Sequence, residues 1–378
     1  MRIAILGTRG VPARYGGFET AAEEIGRRLV ERGHEVVVYC RNPGQTQQVH
    51  DGMTLVNLPA VRVKVLETLS HTGISAAHAI IRDRPDVAFL FNAANAPFIP
   101  LLRSAGIPVA VHVDGLEWRR AKWGRRGSAY YRWAEDRSAR WAHAVIADSH
   151  GIVDHLLTNH GVIASYIPYG APLVTPNPAR LRALGLEPQG YHLVVARFEP
   201  ENHVREVVQG YVASSSTLPL LVVGDAAYGS DYRNEILRAA NGDPRVRFLG
   251  GIWDQELLDS LYAGAASYVH GHSVGGTNPS LLRAMGAAAP VIAYDVTFNQ
   301  EVARANGRYF RQAADVAREC ESVEFDVAAA RARGRSGRAD VIERYQWDEV
   351  ADGYEKLAHR LMVDSRHRSG RRDEASNP

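Results

Sequence analysis

The stretch Tyr268–Asp295, YVHGHSVGGTNPSLLRAMGAAAPVIAYD, decides how the chain is read. Tyr268–His270 closes an apolar run, and Gly271, Gly275 and Gly276 open a loop. Asn278 stands where a helix N-cap belongs, with Pro279 at the first helical position. Leu281, Leu282, Met285 and Ala289 then recur at helical spacing, and Pro290–Tyr294 reads as a buried strand. Strand, glycine loop and helix in that order aim successive backbone N–H groups at one spot, ahead of the positive end of a helix. Such a spot holds an anion, most often phosphate. An ordinary strand-to-helix turn is the alternative, but it leaves the three glycines with Thr277 and Asn278 unexplained.

The same alternation runs outward from this stretch. Upstream lie strands at Leu193–Ala196, Leu220–Gly224 and Val246–Leu249. They are separated by RFEPENH (Arg197–His203) with a helix to about Ser214, and by a helix after Asp231; a helix at Gln255–Ala263 follows the third strand. The first half begins with a strand, Arg2–Leu6, and a wide loop, Gly7–Gly17 (GTRGVPARYGG). A helix with Phe18, Ala22, Ile25 and Leu29 on one face follows, ending at Gly33, and then the strand Glu35–Cys40. Further strands are read at Met53–Leu58, Val87–Phe91, Val109–His112 and Ala144–Ala147, with Asp148 and Ser149 capping the next helix. Alternation throughout 378 residues predicts an α/β protein of two Rossmann-like, doubly wound domains facing a central cleft. The expected boundaries are 1–170, a Pro-rich linker at 171–190, 191–340, a helix at 341–362 returning to the first domain, and a polar, disordered tail at 363–378.

Several function classes drop out. The first loop has glycines at 7, 10, 16 and 17 rather than at G-x-G-x-x-G spacing, and the second strand ends in Arg41 rather than an acid, so it is no dinucleotide fingerprint. No Gly-Lys-Ser/Thr follows, so it is no P-loop either. Arg9, Arg14 and Tyr15 suit a ligand lying across the loop; an ordinary surface loop is the alternative reading. A net charge of +2 gives no electrostatic reason to expect nucleic acid as a partner. Cys40 and Cys320, far apart, argue against a disulfide framework, and no secretion signal is visible. No window approaches 18 uninterrupted apolar residues. The expectation is a cytoplasmic protein, or one peripheral on the inner face of the membrane.

Asp114 and Glu117 follow the strand ending at His112, at the sheet edge where open α/β folds bind ligands. Asp114 is thus a candidate base or charge stabiliser; it equally suits a turn cap with Gly115. From Trp118 to Trp141 the chain holds eight Arg and Lys against Glu135 and Asp136, and four of the six tryptophans. Basic and aromatic residues on a helix fit an anionic membrane surface, an RNA-binding face, or a solvated helix over buried aromatics.

Taken together, Gly7–Thr20, His112–Trp123, Asp148–Ser149, Ile167–Gly170, Arg197–Asn202, Val223–Tyr232 and His270–Leu282 resemble family 4 glycosyltransferases of the GT-B fold. More narrowly, they are similar to the bacterial rhamnosyltransferase-type group with an N-terminal GTRGxPxxYGGFET element. The resemblance implies transfer of a sugar, rhamnose or another hexose, from a nucleotide-diphosphate sugar to a saccharide or lipid-linked saccharide in cell-surface polysaccharide synthesis. It also implies a retaining mechanism, no cofactor besides the donor substrate, and no metal; no His/Cys/Asp cluster has ligand spacing in the sequence. Residue by residue, it implies that Gly16 and Gly17 approach the donor phosphate and that Asp114 acts near the reacting sugar, with Glu117 beside it. Arg197 pairs with the diphosphate, and Asn202 stands where the family usually has lysine. The backbone of Gly251, Ile252 and Trp253 reads the base, and His272 with Gly275, Gly276, Thr277 and Asn278 holds phosphate and sugar.

The family's paired glutamates map to Gly275 and Arg283. Loss of the first is shared with the rhamnosyltransferase-like group; loss of the second is not. Arg283 offers donors only, where a ribose hydroxyl normally finds an acceptor. That departure motivates an alternative, a degenerate GT-B protein that binds sugar or partner without turnover. A nucleotide-sugar epimerase on the same fold would need a compact set of acids and histidines, and only Asp114, His270 and His272 offer themselves.

Overall fold

The computed structural model describes residues 1–375 apart from 14–15, 42–43, 45, 62, 64–65, 114, 121–122 and 227–230. The chain divides into two compact units. One comprises 1–118, 125–169 and 347–378, the other 119–124 and 170–346.

In the N-terminal unit the strands are β1 (Arg2–Leu6), β2 (Glu35–Cys40), β3 (Val49–His50), β4 (Met53–Asn57), β5 (Val87–Phe91), β6 (Val109–Val113), β7 (Ala144–Ala147) and β8 (Ser165–Tyr166). They form one sheet in the order β3-β4-β2-β1-β5-β6-β7-β8. All neighbours are parallel except β3 and β4. A parallel sheet covered on both faces needs continuous apolar strands rather than alternating ones, and RIAIL, VAFLF and VAVHV supply them. The helix Gly17–Glu31 buries Ala21, Ala22, Ile25 and Leu29. It stops where Gly33 takes a φ of 84°, with Gly33 N–H and His34 N–H donating to Val30 and Leu29 carbonyls at 2.9 and 3.0 Å.

In the C-terminal unit β9 (His192–Val195), β10 (Leu220–Val223), β11 (Val246–Gly250), β12 (Ser267–His270), β13 (Val291–Tyr294) and β14 (Gly307–Phe310) form an all-parallel sheet ordered β11-β10-β9-β12-β13-β14. That is the doubly wound order, with its reversal between β9 and β12. Both units are therefore Rossmann-like, as the alternation of elements predicts.

Two segments differ from the sequence reading. Residues 171–190, Pro-rich and read as a linker, pack onto the C-terminal unit. Ala171, Val174, Leu181 and Leu186 are buried, Val174 N–H donates to Gly286 O at 3.3 Å, and Arg180 pairs with Asp254 and Glu256. Proline there breaks secondary structure without loosening the chain. The final helix spans Trp347–Ala375 rather than 341–362, because the preceding helix, Val327–Arg344, closes at Tyr345 with φ −130° and ψ 44°. Residues 363–375, read as part of a disordered tail, continue it. Val350, Tyr354, Leu357 and Leu361 are its buried face in the N-terminal unit, and Arg28, Arg32 and His34 bond Asp348 and Glu355 on its flank.

Candidate functional site

Where strand order reverses, the loops leaving two neighbouring strands part and open a crevice at the sheet's C-terminal edge. In the C-terminal unit these are the loops after β9 and β12. They are laced together: the Ser273 amide and hydroxyl donate to Glu201 O at 2.9 and 3.0 Å, and His203 Nδ1 lies 2.8 Å from Gly271 O. A Cβ on Gly271 would stand 2.0 Å from the Asn202 carbonyl, so only glycine lets the loops approach this closely. Asn202 is buried, and its amide donates to Arg197 O at 2.8 Å. Its side chain braces the Arg197 turn from within.

Beyond this lacing the second loop is unspent. Among the described residues the N–H groups of Gly275 and Gly276 make no internal hydrogen bond. The next turn is fixed: Asn278 Oδ1 accepts from Ser280 N–H at 3.0 Å and from its hydroxyl at 2.8 Å, and Pro279 follows at the first helical position of Pro279–Gly286. Tyr268 OH donates to Ser280 Oγ at 3.0 Å, tying the cap to β12. Thr277 is buried at the centre of the turn. Arg197, partly exposed, stands on the facing loop, with Glu199 3.9 Å from its guanidinium.

The two histidines beneath are held neutral. His270 and His272 stack at 4.4 Å. Burial pushes His270 down to about 3, and burial together with His270 and Arg197 pushes His272 well below the usual histidine range. Glu201 is buried, and burial with the neighbouring Glu199 raises its carboxyl. Arg197, close enough to His272 to act on it, and the two glycine amides thus lie on neighbouring loops, an arrangement that suits an anion.

Arg283 does not enter this cradle as a free cation. It donates to Asp259 on the helix Gln255–Ala263, and Gln255 Nε2 reaches the same carboxylate oxygen at 3.0 Å. Gly251, Ile252 and Trp253 follow β11, at the sheet's outer edge two strands from β9, and Trp253 is 71% exposed. The fold therefore brings Arg197, Asn202, His272, Gly275, Gly276, Thr277 and Asn278 to one edge, with Gly251–Trp253 at its flank.

The N-terminal unit has its own reversal, between β1 and β5. A Cβ on Gly7 would lie 2.2 Å from Phe91 O, so the loop after β1 also hugs its neighbour. Here two of the loop amides are bonded to carboxylates, while among the described residues the Gly16 and Gly17 N–H groups make no internal hydrogen bond. Arg9 N–H donates to Glu19 Oε1 at 2.9 Å and Ala13 N–H to Glu23 Oε2 at 3.2 Å. Both carboxylates come from the helix that Gly16 caps and Gly17 begins. Phe18 lies edge-on to Phe91 and His112, at 5.3 and 5.5 Å, and Tyr354 OH is 2.7 Å from His112 Nδ1. Burial pushes His112 down to about 3. Glu117 opens a short turn, its N–H donating to Gly115 O at 3.0 Å. Asp114, Arg14 and Tyr15 lie outside the described residues.

Sequence spacing hides two further features. One is the reach of Glu19 and Glu23 back to the loop before their helix. Three side-chain sets also come together in space, His34/Glu355/His359, Glu135/His155/His160 and Glu23/His50/Asp51, each with ligand atoms within 4.8 Å. Their members are far apart in sequence, except the pairs His155/His160, His50/Asp51 and Glu355/His359.

Comparison with known proteins agrees with this architecture. Residues 16–170 match a glycosyl transferase 4-like domain, and residues 191–323 match the glycosyl transferases group 1 domain. An O-antigen chain mannosyltransferase B of Escherichia coli is 28% identical over 118 residues, 30% of this chain and 31% of that protein, so the match spans about a third of the relative. Among solved structures, sucrose-phosphate synthase from Thermosynechococcus elongatus superposes with a TM-score of 0.82 at 22% identity, covering 96% of this chain and 99% of that one. Anabaena HepE in complex with UDP-glucose gives 0.79 at 17% identity, covering 95% and 100%. Those likenesses bear on the fold. With a transferase domain on each Rossmann-like unit, in the order that the fold requires, the chain belongs to the GT-B glycosyltransferases.

Proposed function

We propose that the chain transfers a sugar from a nucleotide-diphosphate donor, bound at the β9/β12 edge of the C-terminal unit, to a saccharide or lipid-linked saccharide acceptor. The observation that carries this reading is the pair of unspent amides at Gly275 and Gly276, ahead of a capped helix and on the loop next to that of Arg197. The UDP and UDP-glucose complexes of HepE and the O-antigen role in the mannosyltransferase's name support the substrate class. Rhamnose as the sugar, retention of configuration and a role in surface polysaccharide synthesis rest on the resemblance of motifs. In such a mechanism Arg197 and the loop amides stabilise the departing diphosphate, whose oxygen takes the acceptor's proton. Asp114→Asn tests any essential role for that carboxylate: near-normal turnover would remove it. A panel of nucleotide-sugars in a thermal-shift assay tests the whole reading, which fails if no nucleotide or nucleotide-sugar raises the melting temperature.

A second reading, binding without turnover, is motivated by Arg283. Its pairing with Asp259 favours a structural part for the residue, which is compatible with turnover. Arg283→Glu discriminates, since a large gain in nucleotide affinity would mark the natural chain as impaired. For the acceptor side we propose peripheral contact with an anionic membrane. Arg125, Arg126, Arg132, Trp133 and Arg140 are exposed on the helix Arg125–Trp141, while no helix among the described residues is long and apolar enough to cross a bilayer. Neutralising Arg119, Arg120, Arg125 and Arg126 should lower liposome co-sedimentation; unchanged binding would count against it.

A further inference from the structure

We propose that Glu135, His155 and His160 form a binding site for one divalent transition-metal ion of the zinc class in the N-terminal unit. Glu135 is a buried carboxylate in the middle of the helix Arg125–Trp141, and the histidines come from the helix His150–His160 beside it. Both imidazoles aim at one oxygen: His155 Nε2 is 2.7 Å and His160 Nε2 3.0 Å from Glu135 Oε1. Three donors thus converge within 4.8 Å. A tetrahedral zinc with bonds of about 2.0–2.2 Å needs its ligand atoms roughly 3.3–3.5 Å apart, so they would open by only about half an ångström. Two imidazoles and one carboxylate are a borderline set, suited to zinc and its neighbours rather than to magnesium or calcium.

The surroundings fit the same ion. Trp118 Nε1–H donates to the other oxygen, Glu135 Oε2, at 3.2 Å, leaving Oε1 to act as a single-point ligand. Asp136 Oδ1 lies 3.5 Å from His160 Nδ1. Once a metal takes the Nε2 lone pair, the ring proton sits on Nδ1, where a carboxylate orients the imidazole and strengthens it as a ligand. The Asn159 side-chain amide stands 3.1 Å from His155 Nδ1 and donates to His155 O at 2.9 Å, which holds it beside the ring. Among the described residues no arginine pairs with Glu135: Arg132 lies over the Trp118 ring at 4.7 Å, and Arg137 and Arg140 are drawn to Asp136. Burial alone would push the Glu135 carboxyl up, and its histidine bonds bring it down instead. With three protein ligands the ion keeps an open position for water. It would clamp the two helices and, through Trp118, the turn that follows β6.

The test uses the full chain, stripped with chelator, reloaded with Zn2+ and passed through gel filtration before metal analysis. One retained zinc per chain is expected, with a raised melting temperature that Mg2+ does not reproduce. His155→Ala and His160→Gln should each lower zinc affinity by more than about tenfold, whereas His50→Ala should leave it unchanged. X-ray absorption of the zinc-loaded natural chain covers the case in which the variants fail to fold: two imidazoles in its shell are expected. Absence of retained zinc, retention unchanged in the His155→Ala/His160→Gln double variant, or a zinc shell without imidazole would overturn the site.

Discussion

The two units carry the same device, a loop leaving the sheet where strand order reverses, and they differ in the carboxylates that reach it. After β1 the loop amides of Arg9 and Ala13 are neutralised by Glu19 and Glu23 from the helix that follows. After β12 the loop has no acid of its own, and the amides of Gly275 and Gly276 are left for something else. Each loop is pinned by a glycine that admits no side chain, Gly7 against Phe91 and Gly271 against Asn202. Each also rests near a buried histidine held neutral, His112 in one unit and His270 in the other. Shared scaffolding therefore does not by itself mark an edge for an anion; on the proposed reading, the placement of carboxylates separates the two.

The sharpest way to break this contrast is Arg197→Ala. If Arg197 and the glycine amides hold a diphosphate, loss of a charge-assisted contact of about 1.5–3 kcal/mol should weaken donor binding by roughly ten- to a hundredfold, read by calorimetry. Next comes acidity, which strikes both edges alike. His112 and His270 titrate near 3 when folded and near 6.5 when unfolded. Between those values the unfolded chain binds more protons, so stability falls as pH falls below 6.5. At pH 5 each site should cost about 2 kcal/mol, and His112→Phe or His270→Phe should flatten a melting-temperature profile between pH 7 and 5. A profile equally steep in both variants would contradict the assignment.

Smaller effects separate loop from helix. Gly275 has a φ of 145° with no atom within 4 Å of where a Cβ would stand, so Gly275→Ala meets backbone strain without a clash. A loss of about 1–3 kcal/mol in stability or donor affinity is expected. Arg283→Ala removes a partly exposed ion pair, worth up to about 1 kcal/mol of stability. Donor affinity should change by less than about threefold if the residue serves Asp259 alone. Glu19→Gln should be mildest, about 0.3–1 kcal/mol from the loss of an acid in a helix's first turn, with donor affinity untouched.

Much of this was legible from local pattern. Parallel strands buried on both faces read as apolar runs, and Asn278-Pro279 announces its helix because capping is a contact between near neighbours in sequence. What stayed hidden depends on partners far along the chain or on which way a side chain turns. The bond from the Asn202 amide to Arg197 O, which shapes that turn, cannot be read from sequence. Arg283 looks like an intruder until Asp259, on a different helix, is seen to neutralise it. Proline content between 171 and 190 tells of broken secondary structure, yet Leu181 and Leu186 bury there all the same. The three His and carboxylate clusters are assembled largely by helix packing, which no spacing rule reaches.

Calorimetry of a nucleotide-diphosphate sugar against the full chain, with Arg197→Ala and Glu19→Gln in parallel, probes the contrast between the two edges most directly. The C-terminal edge should be seen to bind: saturable heat for the natural chain and for Glu19→Gln, and affinity reduced at least about tenfold for Arg197→Ala. Equal affinity in all three proteins, or an affinity lost through Glu19→Gln instead, would place the anion elsewhere and contradict donor binding at the β9/β12 edge.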